Sequence, residues 1–295
     1  MSKKETLIGV GLTVCGVMLH STKAVIVKLA YIEGISSSTV LFWRMLFALP
    51  LYLIIGAYYV KKHKPERIES KSILYMIGLG FIGYYLSSYF DFKGLEYIDA
   101  SLERLVLFTY PTLTYLMMVF INKTGFKQKD ILSIVITYTG IGLVFYSKIG
   151  AQHDGVMMGV GYIFLCALTY AIYLVGSNFL IKGIGSILFT IISMLASTFF
   201  VVIHYLILGD GLAFQLSSKL YLMLMTMAVF STVVPSFLVA EGIKRLGADK
   251  VGIISSLGPV STITLSIFFL GEILTPIQYI GGVVVVLGVY VLTKK

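Results

Sequence analysis

The sequence predicts an all-α membrane protein: ten transmembrane helices arranged as two inverted five-helix repeats. Three observations predict it. Of 295 residues, 58% are hydrophobic and only 13% are charged. A soluble domain carries roughly 45–50% apolar and about 25% charged residues, so this chain has too few polar groups to coat a water-facing surface. Apolar runs recur along the whole length, each near the ~20 residues that a helix needs to cross a hydrocarbon core of about 30 Å. Finally, a shift of 148 residues lays the second half of the chain over the first.

The apolar runs cover residues 7–29, 37–60, 72–92, 101–121, 129–147, 157–180, 186–208, 218–240, 250–270 and 276–293. Helices are the expected form, because lipid leaves backbone groups no partner outside their own segment. The alternating segments of about ten residues that mark a membrane β-barrel are absent. Polar breaks separate the runs at Lys61 to Lys71, at Asn122 to Lys129 and at Gly209-Asp210-Gly211. The basic start and the apolar run from Leu7 have the outline of a signal peptide without a small-residue cleavage site, so this run is expected to stay as the first helix. Cys15 and Cys166 both sit inside apolar runs and read as packing residues.

Charge sets the orientation. With the N-terminus in the cytoplasm, sixteen of the 23 Lys and Arg fall in cytoplasmic segments, three on the opposite side and four within spans. That asymmetry is the one membrane proteins obey. It predicts a cytoplasmic-membrane protein with both termini inside, and it accounts for the net charge of +9 without nucleic acid as a partner.

In the repeat, Gly94 meets Gly242, Ala100 meets Ala248, Pro111 meets Pro259, Thr114 meets Thr262, Phe120 meets Phe268 and Gly140 meets Gly288. The halves are residues 1–148 and 149–295. Five crossings per half is an odd number, so the second half must enter the membrane from the opposite side. Inverted repeats of this kind mark secondary transporters with a midplane site between the halves.

Gly94-Leu95-Glu96-Tyr97-Ile98-Asp99-Ala100-Ser101-Leu102 running into Thr109-Tyr110-Pro111-Thr112-Leu113 carries a family signal, as do Ala248 through Ser255-Ser256-Leu257-Gly258-Pro259, Leu270-Gly271-Glu272 and Arg44. On these stretches the chain resembles the EamA-type transporters of the drug/metabolite transporter superfamily. The resemblance covers nearly the whole chain as two five-helix copies. It departs where the first repeat has Asn122-Lys123, since a Gly-Glu pair is common there. It implies a secondary transporter, proton-coupled or facilitated, that moves small metabolites such as amino acids or related amphipathic solutes, often outward. It implies a small-molecule solute and the lipid bilayer as partners, and a monomer or homodimer. With only four His, of which His63 and His153 fall in loops, no metal site is expected, and no cofactor is expected either.

Charged and polar residues inside the spans nominate the site, because a charge at the bilayer centre costs roughly 2.5–3.5 kcal/mol on insertion scales and is kept for a cavity or a partner. Lys23, Arg44, Asp91, Glu103 and Arg104 share one depth, which permits Lys23–Glu103 or Arg44–Asp91 pairing around a zwitterionic or anionic solute. His20 is a candidate proton relay near the middle of helix 1. Glu241 reads as an interfacial partner of Lys244 and Arg245. Tyr84, Tyr85, Tyr89, Tyr110, Tyr170 and Tyr173 offer an apolar face with a hydroxyl, and Ser88, Asn178, Ser255 and Ser256 are further polar candidates. Pro111 and Pro259 predict mid-helix kinks that free the carbonyls of Leu107 and Ser255. Gly78, Gly80, Gly83, Gly155, Gly159, Gly281 and Gly282 are expected helix-packing contacts.

Two other readings compete: an intramembrane enzyme, and a receptor or scaffold that moves nothing. No Walker, HExxH or GxSxG motif supports the enzyme, and a receptor has no need of inverted halves.

Overall fold

A computed structural model describes residues 3–64, 68–123, 125, 128–149, 155–209, 215–247, 251, 254–255 and 257–293. The described residues are helical with no strand. In order they form α1 (Lys3–Ile32), α2 (Ser37–His63), α3 (Ser70–Tyr97), α4 (Ala100–Asn122), α5 (Gln128–Ile149), α6 (Val156–Ile184), α7 (Ser186–Leu208), α8 (Ser218–Leu246), α9 (Leu257–Leu270) and α10 (Pro276–Thr293). Seven of these, α1 to α4 and α6 to α8, are long and apolar enough to cross a membrane. Within α5, α9 and α10 the stretches Ile131–Val144, Leu257–Leu270 and Pro276–Gly288 are apolar as well.

Local chemistry sets the helix ends. Ser36 accepts from the Thr39 amide and Ser217 from the Leu220 amide, capping α2 and α8. Between α6 and α7 a single residue reverses the chain. It is Gly185, at φ +90°, a conformation L side chains rarely adopt.

Two helices carry an interruption that sequence periodicity does not show. Phe81–Leu86 in α3 and Met227–Val233 in α8 are π-helical, wider turns that recur at functional sites. In α4 the expected kink is instead a break. The first piece ends at Leu107, Phe108 and Thr109 form a turn, and a second piece starts at Tyr110. Pro111 therefore stands in a first turn, where its missing N–H costs no helical bond.

The packing partners are specific. α1 lies against α8 and α9, while α6 lies against α3 and α4; α2 lies against α7 and α8, and α7 also meets α3. α5 and α10 pack mainly on each other and touch the rest of the bundle chiefly through α4. Glycines permit that pairing. A Cβ on Gly140 would sit 2.7 Å from the Gly281 carbonyl oxygen and 2.7 Å from the Val285 nitrogen. Gly80, Gly83, Gly159 and Gly281 are close-packed as expected. Gly78 is not: its missing side chain faces open space, and Gly282 has only ordinary contact distances. The glycine count along a helix gives no face, and here the packed face turns away from Gly78.

One end of the bundle is braced by polar contacts between helices. The Glu272 carboxylate accepts from the Ala100 amide at 2.9 Å, from the Ser101 amide at 3.2 Å and from the Ser101 hydroxyl. It thereby caps α4 from a segment far away in sequence, satisfying donors that a helix start leaves free. At the same end Tyr31 donates to the Phe92 carbonyl at 2.7 Å, and Lys219 pairs with Glu33. Glu272→Ala should lower stability by about 1–3 kcal/mol, the cost of stranding charge-assisted donors, and Glu272→Gln by less. An unchanged thermal midpoint for the alanine variant would remove this cap from the account.

Candidate functional site

A cavity of about 110 Å³ lies between the helices. One water needs roughly 10–15 Å³ of such space, so this cavity has room for a small solute. α1 contributes His20, Ser21 and Lys23, α2 contributes Arg44, α4 contributes Arg104, and α6 contributes Cys166, Tyr170 and Tyr173. Both π segments open onto it, through Gly83 and Tyr84 in α3 and Ser231 and Thr232 in α8. Leu107 and Ser255, each four residues before a proline, also line it, as do Tyr110 and Pro259. The lining runs toward the helix ends that lie beside the N-terminus, reaching Ile181 in α6 and Ile243 in α8.

Its deep wall is charged. Lys23 Nζ lies 2.6 Å from Asp91 Oδ2, and both side chains are buried. This corrects the pairing read from depth alone: the structure joins Lys23 to Asp91, in place of Lys23–Glu103 or Arg44–Asp91. Depth along a helix follows from the sequence, but the direction in which each side chain points depends on how the helices rotate against one another. Glu103 is fully buried beside Asp91. Neither Glu103 oxygen receives a hydrogen bond from a donor among the described residues. Arg104 donates from Nε to Thr262 at 2.8 Å and from Nη2 to the His20 carbonyl at 3.3 Å, tying α4 to α9 and α1. Arg44 lies over the Phe92 ring at 4.8 Å from its centroid.

Several expected residues stand elsewhere. Asp91 and Glu103 lie behind the cavity wall rather than in it, and Ser88 lies in it. Tyr85 is not in the lining; its hydroxyl meets His204 Nδ1 at 2.6 Å. Tyr84 takes its place, accepting from the Tyr173 hydroxyl at 3.0 Å. Neither Asn178 nor Pro111 is among the lining residues. Ser256 lies outside the described residues. Glu241 makes the interfacial pair expected of it, with Arg245 Nε at 2.8 Å, and also accepts from Ser186 at 3.0 Å.

Sequence reasoning missed Ser87, Cys166, Ser231 and Thr232. Cys166 was expected only to pack, yet it borders the cavity with its sulfur 3.2 Å from the Ser87 hydroxyl. Thr22 and Ser231, 2.6 Å apart, join α1 to the π segment of α8. A signal for these was present: hydroxyl residues inside otherwise apolar runs hydrogen-bond across helices. Among the described residues no three His, Cys, Asp or Glu converge as a metal-binding group.

This arrangement has known counterparts. The model of the EamA-like transporter family matches residues 7–146 and again residues 157–294. The "uncharacterized transporter YcbK" of Bacillus subtilis is 30% identical over 94% of this chain and 90% of its own length. The "uncharacterized transporter YyaM" of the same organism is 25% identical over 84% of this chain and 81% of its own length. A solved crystal structure shares the fold with a TM-score of 0.71, over 99% of this chain and 96% of its own, at 15% identity. A bundle of apolar spans around a polar cavity and a double match to one family model lead to a single assignment: the chain is a multi-pass membrane protein of the EamA-like transporter family.

Proposed function

We propose that this chain is a secondary transporter that moves small metabolites, amino acids or related amphipathic solutes, out across the cytoplasmic membrane by alternating access. The observation that carries the reading is the cavity: its charged wall is buried at mid-bundle, and its lining comes from both halves of the chain. Two inverted five-helix units, residues 1–148 and 149–295, ten crossings in all, supply the moving parts. Three facts support that arrangement. The family model matches twice. The π segments fall in the third helix of each half, α3 and α8. The packing partners also keep their pattern when each helix is exchanged for the one five places along: α1 with α8 and α9 becomes α6 with α3 and α4. The cavity reaches toward the N-terminal end, while Glu272 and Tyr31 tie the other end. With the termini inside, as the charge asymmetry favours, this is the state that loads from the cytoplasm.

Protons fit as the coupling ion. Two carboxyls side by side, Asp91 and Glu103, are held together more easily when one carries a proton. Lys23 from α1 and Arg104 from α4 act on both carboxyls, Arg44 from α2 acts on Asp91, and His20 lies nearby. Loss or gain of that proton changes what Asp91 offers Lys23, and Lys23 lines the cavity.

Flux of radiolabelled amino acids in proteoliposomes tests the reading. Vectorial movement driven by an imposed proton gradient and abolished by a proton ionophore is the expected result. Turnover without movement would favour an enzyme. Glu103→Gln should retain exchange of solute across the membrane but lose acceleration by the gradient. An E103Q protein with full gradient-driven flux would take the coupling role from this carboxyl.

A further inference from the structure

Three cations face the cavity, and they are not equally occupied. Lys23 is committed to Asp91 at 2.6 Å. Arg104 is committed to Thr262 and to the His20 carbonyl. Arg44 is not committed. It is 4% exposed, and its enclosed Nε donates to no acceptor among the described residues. Its guanidinium rests on the Phe92 ring, an apolar support that takes none of its five hydrogens in the plane of the fork. The carboxylate that acts on it, Asp91, already has Oδ2 against Lys23.

A buried charge without a hydrogen-bonding counter-ion is costly, and native proteins pair such charges. Even with Asp91 and Glu103 both ionised, the cluster of Lys23, Arg44 and Arg104 holds one positive charge in surplus. Among the described residues no hydrogen-bonding counter-ion for Arg44 is present, and the space Arg44 borders is the cavity.

We infer that Arg44 is the recognition residue for the solute, and that the solute carries a single carboxylate. This inference rests on the transporter reading and narrows its substrate class. With both carboxyls ionised the surplus is one charge, which a monoanion balances; a proton shared between Asp91 and Glu103 raises the surplus by one and tightens the hold on the anion. A guanidinium presents a planar pair of donors that matches a carboxylate, which an ammonium does not. Tyr110, Tyr170 and Tyr173 line the same cavity, packed against one another, and give an apolar tail of the solute its surface.

Equilibrium binding to the full-length chain in nanodiscs tests it with a matched set of probes: 3-phenylpropionate (carboxylate alone), L-phenylalanine (carboxylate and ammonium) and 2-phenylethylamine (ammonium alone). Butyrate, L-2-aminobutyrate and butylamine form a smaller aliphatic set, and inorganic phosphate is the dianion. At least one carboxylate should bind, and more tightly than its matching amine. Arg44→Gln should weaken the carboxylate by roughly tenfold to a hundredfold, the range of a lost charge-assisted hydrogen bond. Arg44→Lys should retain part of that affinity and control for folding of the mutated site. Preference for the amines, binding of phosphate ahead of every carboxylate, no binding by any carboxylate, or an R44Q affinity within twofold of the parent would each overturn the proposal. Flux separates it from the broader reading. A chain that transports amines and ignores carboxylates is a transporter without this anion site; one that binds carboxylates at Arg44 and moves nothing has the site without the transport.

Discussion

Lys23→Ala should abolish solute flux altogether while the protein still inserts into the membrane. The lysine does two things at once: it borders the cavity, and it neutralises a carboxylate that has no exposure to solvent. Removing it leaves Asp91 buried beside Glu103 with its ion pair broken, and breaking a buried pair on one side costs about 3–5 kcal/mol. Loss of flux alone would therefore be ambiguous between a lost site and a lost fold. The double variant Lys23→Met with Asp91→Asn separates them. It removes both charges, so its thermal midpoint should recover most of the loss, since replacing both partners of a buried pair is often close to neutral, while flux stays absent. Normal flux in K23A would take Lys23 out of the site. Recovery of flux in the double variant would reduce the pair to a structural role.

The second large effect concerns the scaffold. Gly140→Val should destabilise the protein by at least about 2–3 kcal/mol, in the upper part of the range for overpacked cores. The atoms that its side chain would meet are backbone, the Gly281 carbonyl and the Val285 amide, which no rotamer change can move aside. Even Gly140→Ala places its Cβ 2.7 Å from both. Gly142 is the control two residues away on the same helix, where a Cβ meets nothing within 4 Å. Gly142→Ala should be neutral or stabilising by up to about 1 kcal/mol, the helix-propensity gain. Thermal unfolding in detergent reads both. Equal midpoints for the two alanine variants would mean that α5 and α10 separate without cost.

Much of this molecule is legible in its sequence, and the boundary has a physical cause. Hydropathy gives the spans because lipid demands them, and charge inside a span is rare enough that Lys23, Arg44, Asp91, Glu103 and Arg104 stand out before any coordinates. All five do gather in one region. Which of them touch was not legible. A residue's depth follows from counting at 1.5 Å each, but its bearing around the helix axis is set by neighbours. The π turn in α3 adds to the problem, because it alters the angular phase within one helix. Tyr84 faces the cavity while Tyr85, one residue on, meets His204 on α7. Pro111 shows the same limit: the sequence marks a disturbed helix, but whether the chain bends or breaks there is decided by what packs around Phe108 and Thr109, both buried.

The pairing of α5 with α10 has a practical consequence. Because these two helices hold mainly each other, rearrangements around the solute have little leverage on them. Leu132 and Tyr146 on α5, and Val283 on α10, point away from their neighbours. A spin label or fluorophore at Tyr146 would accordingly serve as a fixed landmark, against which distances to labels on α3 or α8 measure the stroke of the working parts rather than the tumbling of the whole.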